Sequence, residues 1–208
     1  MDARDYYESL WQSVPAGLAP SDLRVRLKFL LARVRAGERV LDVGCGEGRF
    51  TAELAAAGVH GVGIDVAEEP LRRARGAHPG VDVRLIDACG PWPLADASFD
   101  AVWAGEVIEH VADTAAWLSE VRRVLRPGGR LLVSTPNHSR IAVLRLALSA
   151  GAFDAHFDPR ADHLRFYTRR TLISLLEDFG FQEVSTAAAA GPPGVRRLLL
   201  TQGVRSRW

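Results

Sequence analysis

The sequence has almost no lysine: Lys28 stands alone among 26 basic residues, a bias we attribute to genome composition rather than function. It has no surplus of charge either. With 25 acidic residues the formal net charge is +1, so composition gives no footprint for a polyanion or an anionic membrane. Cysteine is limited to Cys45 and Cys89, too few for a disulfide framework. Long apolar runs are missing as well. The longest candidate, Ile141 to Phe153, is broken by Arg145 and falls short of the ~20 residues a membrane span needs. The opening MDARDYYESLW is acidic and polar, unlike a signal or transit peptide. These absences predict a soluble, cytoplasmic protein with no nucleic-acid or membrane partner; a monomer or homodimer is expected.

Apolar residues are plentiful, 48% of 208, which suits a single domain over residues 1–208 with a sizeable core. The chain is organised around Glu38 to Phe50, ERVLDVGCGEGRF. Val40, Leu41 and Val43 form a short apolar strand, and Phe50, Leu54 and the following alanines resume at helical spacing beyond the glycines. This is strand, tight turn and helix. Glycines at such a turn permit positive φ and let bare main chain approach a ligand, while the helix N-terminus offers free N–H groups to an anion. Gly44, Gly46 and Gly48 fall one residue short of the dinucleotide fingerprint G-x-G-x-x-G, and Asp42 precedes the first of them by two. Two further apolar strands end in acids, GVGIDV in Asp65 and VDVRLI before Asp87. A carboxylate at the second strand end is placed to accept from a ribose diol, with a helix N-cap before Ala67 as the alternative role for Asp65.

The loop from Asp42 to Gly48 resembles motif I of class I S-adenosylmethionine (SAM) dependent methyltransferases. The resemblance implies a three-layer α/β, Rossmann-like fold with a mostly parallel seven-stranded sheet. It also implies a methionine end held near Asp42, Gly44, Cys45 and Gly46, a ribose on Asp65 and Val66, an adenine near Asp87 and Ala88, and a further cofactor contact at Gly105. The Leu-Arg-Pro-Gly-Gly of residues 125–129 is part of the likeness. Gly105-Glu106-Val107-Ile108-Glu109-His110 is similar to ubiquinone-pathway O-methyltransferases and to RNA-end 2′-O-methyltransferases. If this string turns into helix, Glu106, Glu109 and His110 share one side at i, i+3 and i+4. A hydroxyl acceptor must lose its proton as it attacks, which gives His110 a role as general base, with Glu106 and His163 facing the acceptor. The RNA-end group implies instead a divalent metal held by Glu106, Glu109, His110 and His163, a donor set suited to Mn²⁺, Fe²⁺, Co²⁺ or Zn²⁺. The alternatives to a small-molecule O-methyltransferase are therefore a metal-dependent RNA-end enzyme, an NAD(P)-binding reductase and a non-catalytic SAM-binding partner.

The rest of the chain reads as support for this centre. Residues 1–37 form a helical cap, with Tyr6, Tyr7, Leu10 and Trp11 on one side of a first helix and Ser21 capping a second. Strands are expected at Phe99 to Trp103, Arg130 to Ser134 and Phe181 to Thr186, with an antiparallel last strand at Leu198 to Thr201. Residues 136–170 look like an insertion covering the acceptor: a helix over Ile141 to Ala150, a loop over Gly151 to Pro159, and Phe153, Phe157, Phe166 and Tyr167 favouring an apolar or aromatic substrate. The tail arginines Arg196, Arg197, Arg205 and Arg207 read as solvated charges.

Overall fold

Residues Val40 to Val43 are buried at every position, Asp42 among them, as in a strand covered on both faces, and that is the architecture of the computed structural model. It describes residues 3–88, 91–158, 162–192 and 196–207. Strands β1 (Arg39–Val43), β2 (His60–Asp65), β3 (Asp82–Leu85), β4 (Phe99–Gly105), β5 (Leu125–Pro136), β6 (Phe181–Ala189) and β7 (Leu198–Arg205) form one sheet in the order β3-β2-β1-β4-β5-β7-β6. All pairings are parallel except those of β7, which runs antiparallel to β5 and β6. The strand order reverses between β1 and β4, and such a switch point leaves a crevice at the strands' C-terminal ends.

Helices α1 (Ala3–Ser13), α2 (Leu23–Leu31), α3 (Arg49–Ala56), α4 (Glu68–Ala77), α5 (Thr114–Val124), α6 (Arg140–Ala147), α7 (Ala150–His156) and α8 (Arg169–Asp178) complete the described chain. Alternation along the strands divides the core into two layers. Leu41, Val102 and Leu131 pack with Leu118, Val121, Leu172 and Leu176 of α5 and α8. Val40, Trp103 and Leu132 face the other way, onto Phe29 and Leu30 of α2 and Phe50 and Leu54 of α3.

Five local expectations are corrected. Ser21 does not cap α2; the cap position is Asp22 in the left-handed region, whose carboxylate is drawn instead to Arg197. Pro127 to Gly129 do not precede β5 but lie inside it, where the register against β4 shifts between Phe99 and Ala101. Most of Gly151 to Pro159 is helical: Ser149 accepts from the Ala152 N–H and starts α7, while Pro159 lies outside the described residues. Strand β6 continues into the alanines as far as Ala189 because β7, longer than expected, pairs with it down to Leu198. The tail is only partly solvated, since Arg197 pairs with Asp22 and Arg205 donates to the Leu125 carbonyl.

Candidate active site

The loop after β1 is shaped by what it must avoid. Gly44 has φ 65°, and a Cβ there would lie 2.6 Å from Cγ2 of Val107. Gly46 has φ 53°, and its Cβ would lie 3.0 Å from the indole of Trp11. Only glycine fits either place without strain. The loop is braced from β2: Asp65 accepts from the Gly46 N–H at 2.9 Å and from the Ala67 N–H at 3.1 Å. Asp65 is thus a cross-brace as well as a strand-end acid, and α4 has no side-chain cap from it. The Cys45 N–H donates to the Ile64 carbonyl at 3.0 Å and its thiol is buried, so this residue holds the loop's shape. Cys89 lies outside the described residues.

Beneath the loop, Asp42 is buried and accepts from the Thr51 hydroxyl at 2.6 Å. Burial pushes its carboxyl up to about 7, against the pull of Thr51 and Arg26. Burial likewise raises Asp65. Arg26 is the cation of this region: it is 3% exposed, its Nε lacks a partner among the described residues, and its guanidinium lies 4.8 Å from the Phe50 ring centroid. It reaches the end of β4, where a side chain at Gly105 would collide with its guanidinium and with Trp103. Burial lowers its pKa while Glu106, Asp42 and Glu109 oppose that shift. Val66 is half-buried behind Asp65, and Asp87 and Ala88 are exposed beyond β3, at the same edge of the sheet.

The segment after β4 is a turn and not a helix. Glu106 sits at φ 57°, its N–H donates to the Ser134 carbonyl, and α5 begins only at Thr114. The expected helical face therefore does not form. Glu106 accepts from the Ser134 hydroxyl at 3.0 Å. Glu109, 1% exposed, accepts from the Thr135 hydroxyl at 2.9 Å and keeps Oε1 without a partner among the described residues. Burial and then the neighbouring Glu106 push its carboxyl up to about 8.

The loop before α8 closes onto this turn. The Leu164 and Arg165 N–H groups both donate to the Glu109 carbonyl, and Arg165 donates to the carbonyls of Val111 and Ala112. That places the His163 ring 4.8 Å from the His110 ring, and burial and His110 lower the His163 pKa. Nδ1 of His110 lies 2.9 Å from the Asp162 carbonyl and 3.4 Å from its carboxylate. A carbonyl oxygen only accepts, so Nδ1 carries the proton and Nε2 is left with a lone pair. One ligand atom each from Glu109, His110 and His163 fall within 4.8 Å of one another. Of the four candidate metal ligands, three converge and Glu106 stands aside on Ser134.

Comparison with known proteins gives the family. A family model described as a methyltransferase domain matches residues 17–186. The chain belongs to the class I SAM-dependent methyltransferase family. A "probable S-adenosylmethionine-dependent methyltransferase" of Mycolicibacterium smegmatis is 38% identical over 168 residues, 81% of this chain and 61% of that protein. A ubiquinone biosynthesis O-methyltransferase of Xylella fastidiosa is 38% identical over 147 residues, 67% of this chain and 58% of that protein. The chain thus spans about three fifths of the length of these curated relatives. Among solved structures, a SAM-dependent methyltransferase from Archaeoglobus fulgidus superposes with a TM-score of 0.69 over 98% of this chain and all of its own, at 18% identity, a likeness of fold.

Sequence reasoning missed Arg26 and Asp162. An arginine on an otherwise apolar helix reads as a solvated charge, and only the bare Gly105, 79 positions on, opens the space it fills. Asp162 precedes a histidine already singled out, but its partner is 52 positions away.

Proposed function

We propose that this chain transfers a methyl group from SAM to a hydroxyl oxygen of a small molecule. The observation that carries the reading is His110, fixed by Asp162 at the C-terminal edge of β4 with its second nitrogen open, beside the bare glycine loop. Bound SAM supplies an electrophilic methyl group on a sulfonium. The residues present fit it: Arg26 is a buried cation with a free donor for the methionine carboxylate, and Asp42 is a buried carboxyl beneath the loop that an ammonium would hold ionised. Asp65 keeps acceptor capacity for the ribose diol beside its main-chain bonds, and Asp87 and Ala88 border the adenine end.

His110 Nε2 takes the acceptor's hydroxyl proton as the oxygen becomes nucleophilic, while Asp162 holds the ring and stabilises the imidazolium that forms. Glu109, with its carboxyl near 8, stays protonated at neutral pH and does not compete as a base. Relatives named for ubiquinone biosynthesis, and the rings of Phe153, Phe157 and Phe166 packed 4.7 to 5.5 Å apart, support a phenolic acceptor under residues 136–170. The experiment is radiolabelled methyl transfer from SAM to a panel of simple catechols and phenols, in wild type and His110→Ala. Loss of about 10²-fold or more in turnover with unchanged S-adenosylhomocysteine (SAH) affinity is expected. Equal turnover in both removes His110 from the mechanism.

A second reading rests on Oε1 of Glu109, without a hydrogen-bond partner among the described residues, which with the imidazoles of His110 and His163 makes a group of one carboxylate and two imidazole donors. These donors fit Zn²⁺, Mn²⁺ or Fe²⁺. A bound divalent ion supplies charge that lowers the pKa of a coordinated oxygen. Glu109, His110 and His163 would hold it, and His110 would then be a ligand and not a base. Calorimetry with Mn²⁺ and Zn²⁺ on wild type and His163→Ala decides between the two. Balanced surface charge keeps a small-molecule acceptor ahead of an RNA end.

A further inference from the structure

We infer that His138 and His156 form the far end of the acceptor site and bind a hydroxyl group of the acceptor remote from the one that is methylated. This rests on the phenolic acceptor placed under residues 136–170 above. His138 follows β5, which runs parallel to β4, so it leaves the sheet at the same edge as the turn carrying His110. Its main chain is pinned along three residues. The Asn137 N–H donates to the Arg197 carbonyl at 2.8 Å, the His138 N–H donates to the Tyr167 carbonyl at 2.9 Å, and the Ser139 hydroxyl caps α6 by accepting from the Ala142 N–H. The imidazole is thus delivered to a fixed place, yet its buried Nδ1 has no hydrogen-bond partner among the described residues. A buried nitrogen left in this way costs free energy until a polar group meets it.

The surroundings of that nitrogen are aromatic. The His156 ring, at the end of α7, lies 5.2 Å from the His138 ring, and the Phe166 ring lies 5.0 Å from each. Phe157 adds contacts of 4.9 Å to His156 and 5.5 Å to Phe166. Phe153, His156 and Phe157 fall at i, i+3 and i+4 along α7 and its cap, so one side of this short helix supplies half of the cluster. It is not filled core. Helix α7 has no buried residue, and Phe157 and Phe166 remain 47% and 39% exposed. Rings left open around a few convergent polar atoms are what a small-molecule site presents.

The segment before α8 joins this cluster to the reacting end. His163 stands against His110, and Phe166, three residues on, stands against His138 and His156. Three residues of chain reach at most about 10 Å. No ring contact links the two histidine pairs among the described residues, so they are neighbours with a gap between them. A ring with oxygens at opposite ends bridges such a gap, and two adjacent hydroxyls do not. The chemistry favours an uncharged oxygen: burial and then His156 lower the His138 pKa, which leaves a neutral imidazole with one donor and one acceptor nitrogen, the complement of a hydroxyl.

The test uses two pairs of compounds matched in shape: para-hydroxybenzyl alcohol with para-ethylphenol, and ortho-hydroxybenzyl alcohol with ortho-ethylphenol. Calorimetry measures their binding to the SAH complex of wild type, His138→Phe and His138→Asn. Wild type should bind para-hydroxybenzyl alcohol about tenfold more tightly than para-ethylphenol, and should show no such preference in the ortho pair. His138→Phe keeps a ring against Phe166 and His156 and should abolish the preference; His138→Asn, which retains polar atoms near the position of Nδ1, should restore part of it. In wild type the ring ¹⁵N signals of His138 and His156 should move with para-hydroxybenzyl alcohol and stay in place with para-ethylphenol. A preference that is missing in wild type, survives in His138→Phe or is equal in the ortho pair would overturn the proposal, as would failure of all four compounds to bind, and either result would leave the cofactor site intact. Binding with the expected preference but without methyl transfer from SAM would sustain the subsite and refute the reaction proposed above. Failure of wild type to bind SAH would overturn both.

Discussion

Replacing Glu109 by glutamine isolates the effect of ionising one buried carboxyl. In the folded protein that carboxyl titrates near 8, because burial and Glu106 disfavour its charged form, whereas in the unfolded chain it titrates near 4.5. Between those two values the native state holds a proton that the unfolded state has released. Stability from this group is therefore fully present below about pH 4.5, falls as pH rises, and is lost above about pH 8. The gap sets an upper bound of about 5 kcal/mol. Glutamine keeps the acceptor for Thr135 and has nothing to ionise. In urea denaturation, wild type and Glu109→Gln should agree within about 1 kcal/mol at pH 5, and the variant should be more stable by about 2 to 5 kcal/mol at pH 8.5. A stability difference that stays flat across this range would mean that Glu109 ionises like an exposed glutamate, and the account of its neutral carboxyl would be wrong.

Other substitutions test the cofactor side. Gly44→Ala forces a left-handed alanine and a Cβ 2.6 Å from Val107, so it should cost about 2 to 4 kcal/mol and weaken SAH binding about tenfold, read by thermal melting and calorimetry. Arg26→Met keeps the apolar stem between Phe50 and Trp103 but removes the buried cation; the melting temperature should move by only about 3 °C while SAH affinity falls about 10- to 100-fold. Unchanged affinity would take Arg26 out of the site.

The parts of the fold that the sequence discloses are those whose signal is local. Val40 to Val43 and Phe99 to Ala104 are apolar on both faces, which marks them as central strands, and the spacing of Gly44, Gly46 and Gly48 marks the turn that follows the first. The parts it conceals depend on distant partners. Glu106, Glu109 and His110 have helical spacing, but the Ser134 carbonyl and hydroxyl hold Glu106 at the end of β4 and keep the string in a turn. Pro127 to Gly129 look like a stop locally, yet they form an irregularity within β5 because β4 pairs on both sides of them. The position of α1 over the glycine loop is the least legible of all. Arg73, about sixty positions on, donates to the Trp11 and Val14 carbonyls, yet by itself it reads as a solvated helix charge.

The central claim is that the carboxyl ends of β1, β2 and β3, with the glycine loop between them, hold a sulfonium nucleoside. Calorimetric titration of SAH into wild type and Asp65→Ala tests it most directly. The account predicts one site in the wild type, with binding weakened about 100-fold or more in Asp65→Ala, where the brace on Gly46 and the ribose acceptor are lost together. No heat and no rise in melting temperature with wild-type protein, or equal affinity in the two, would contradict it.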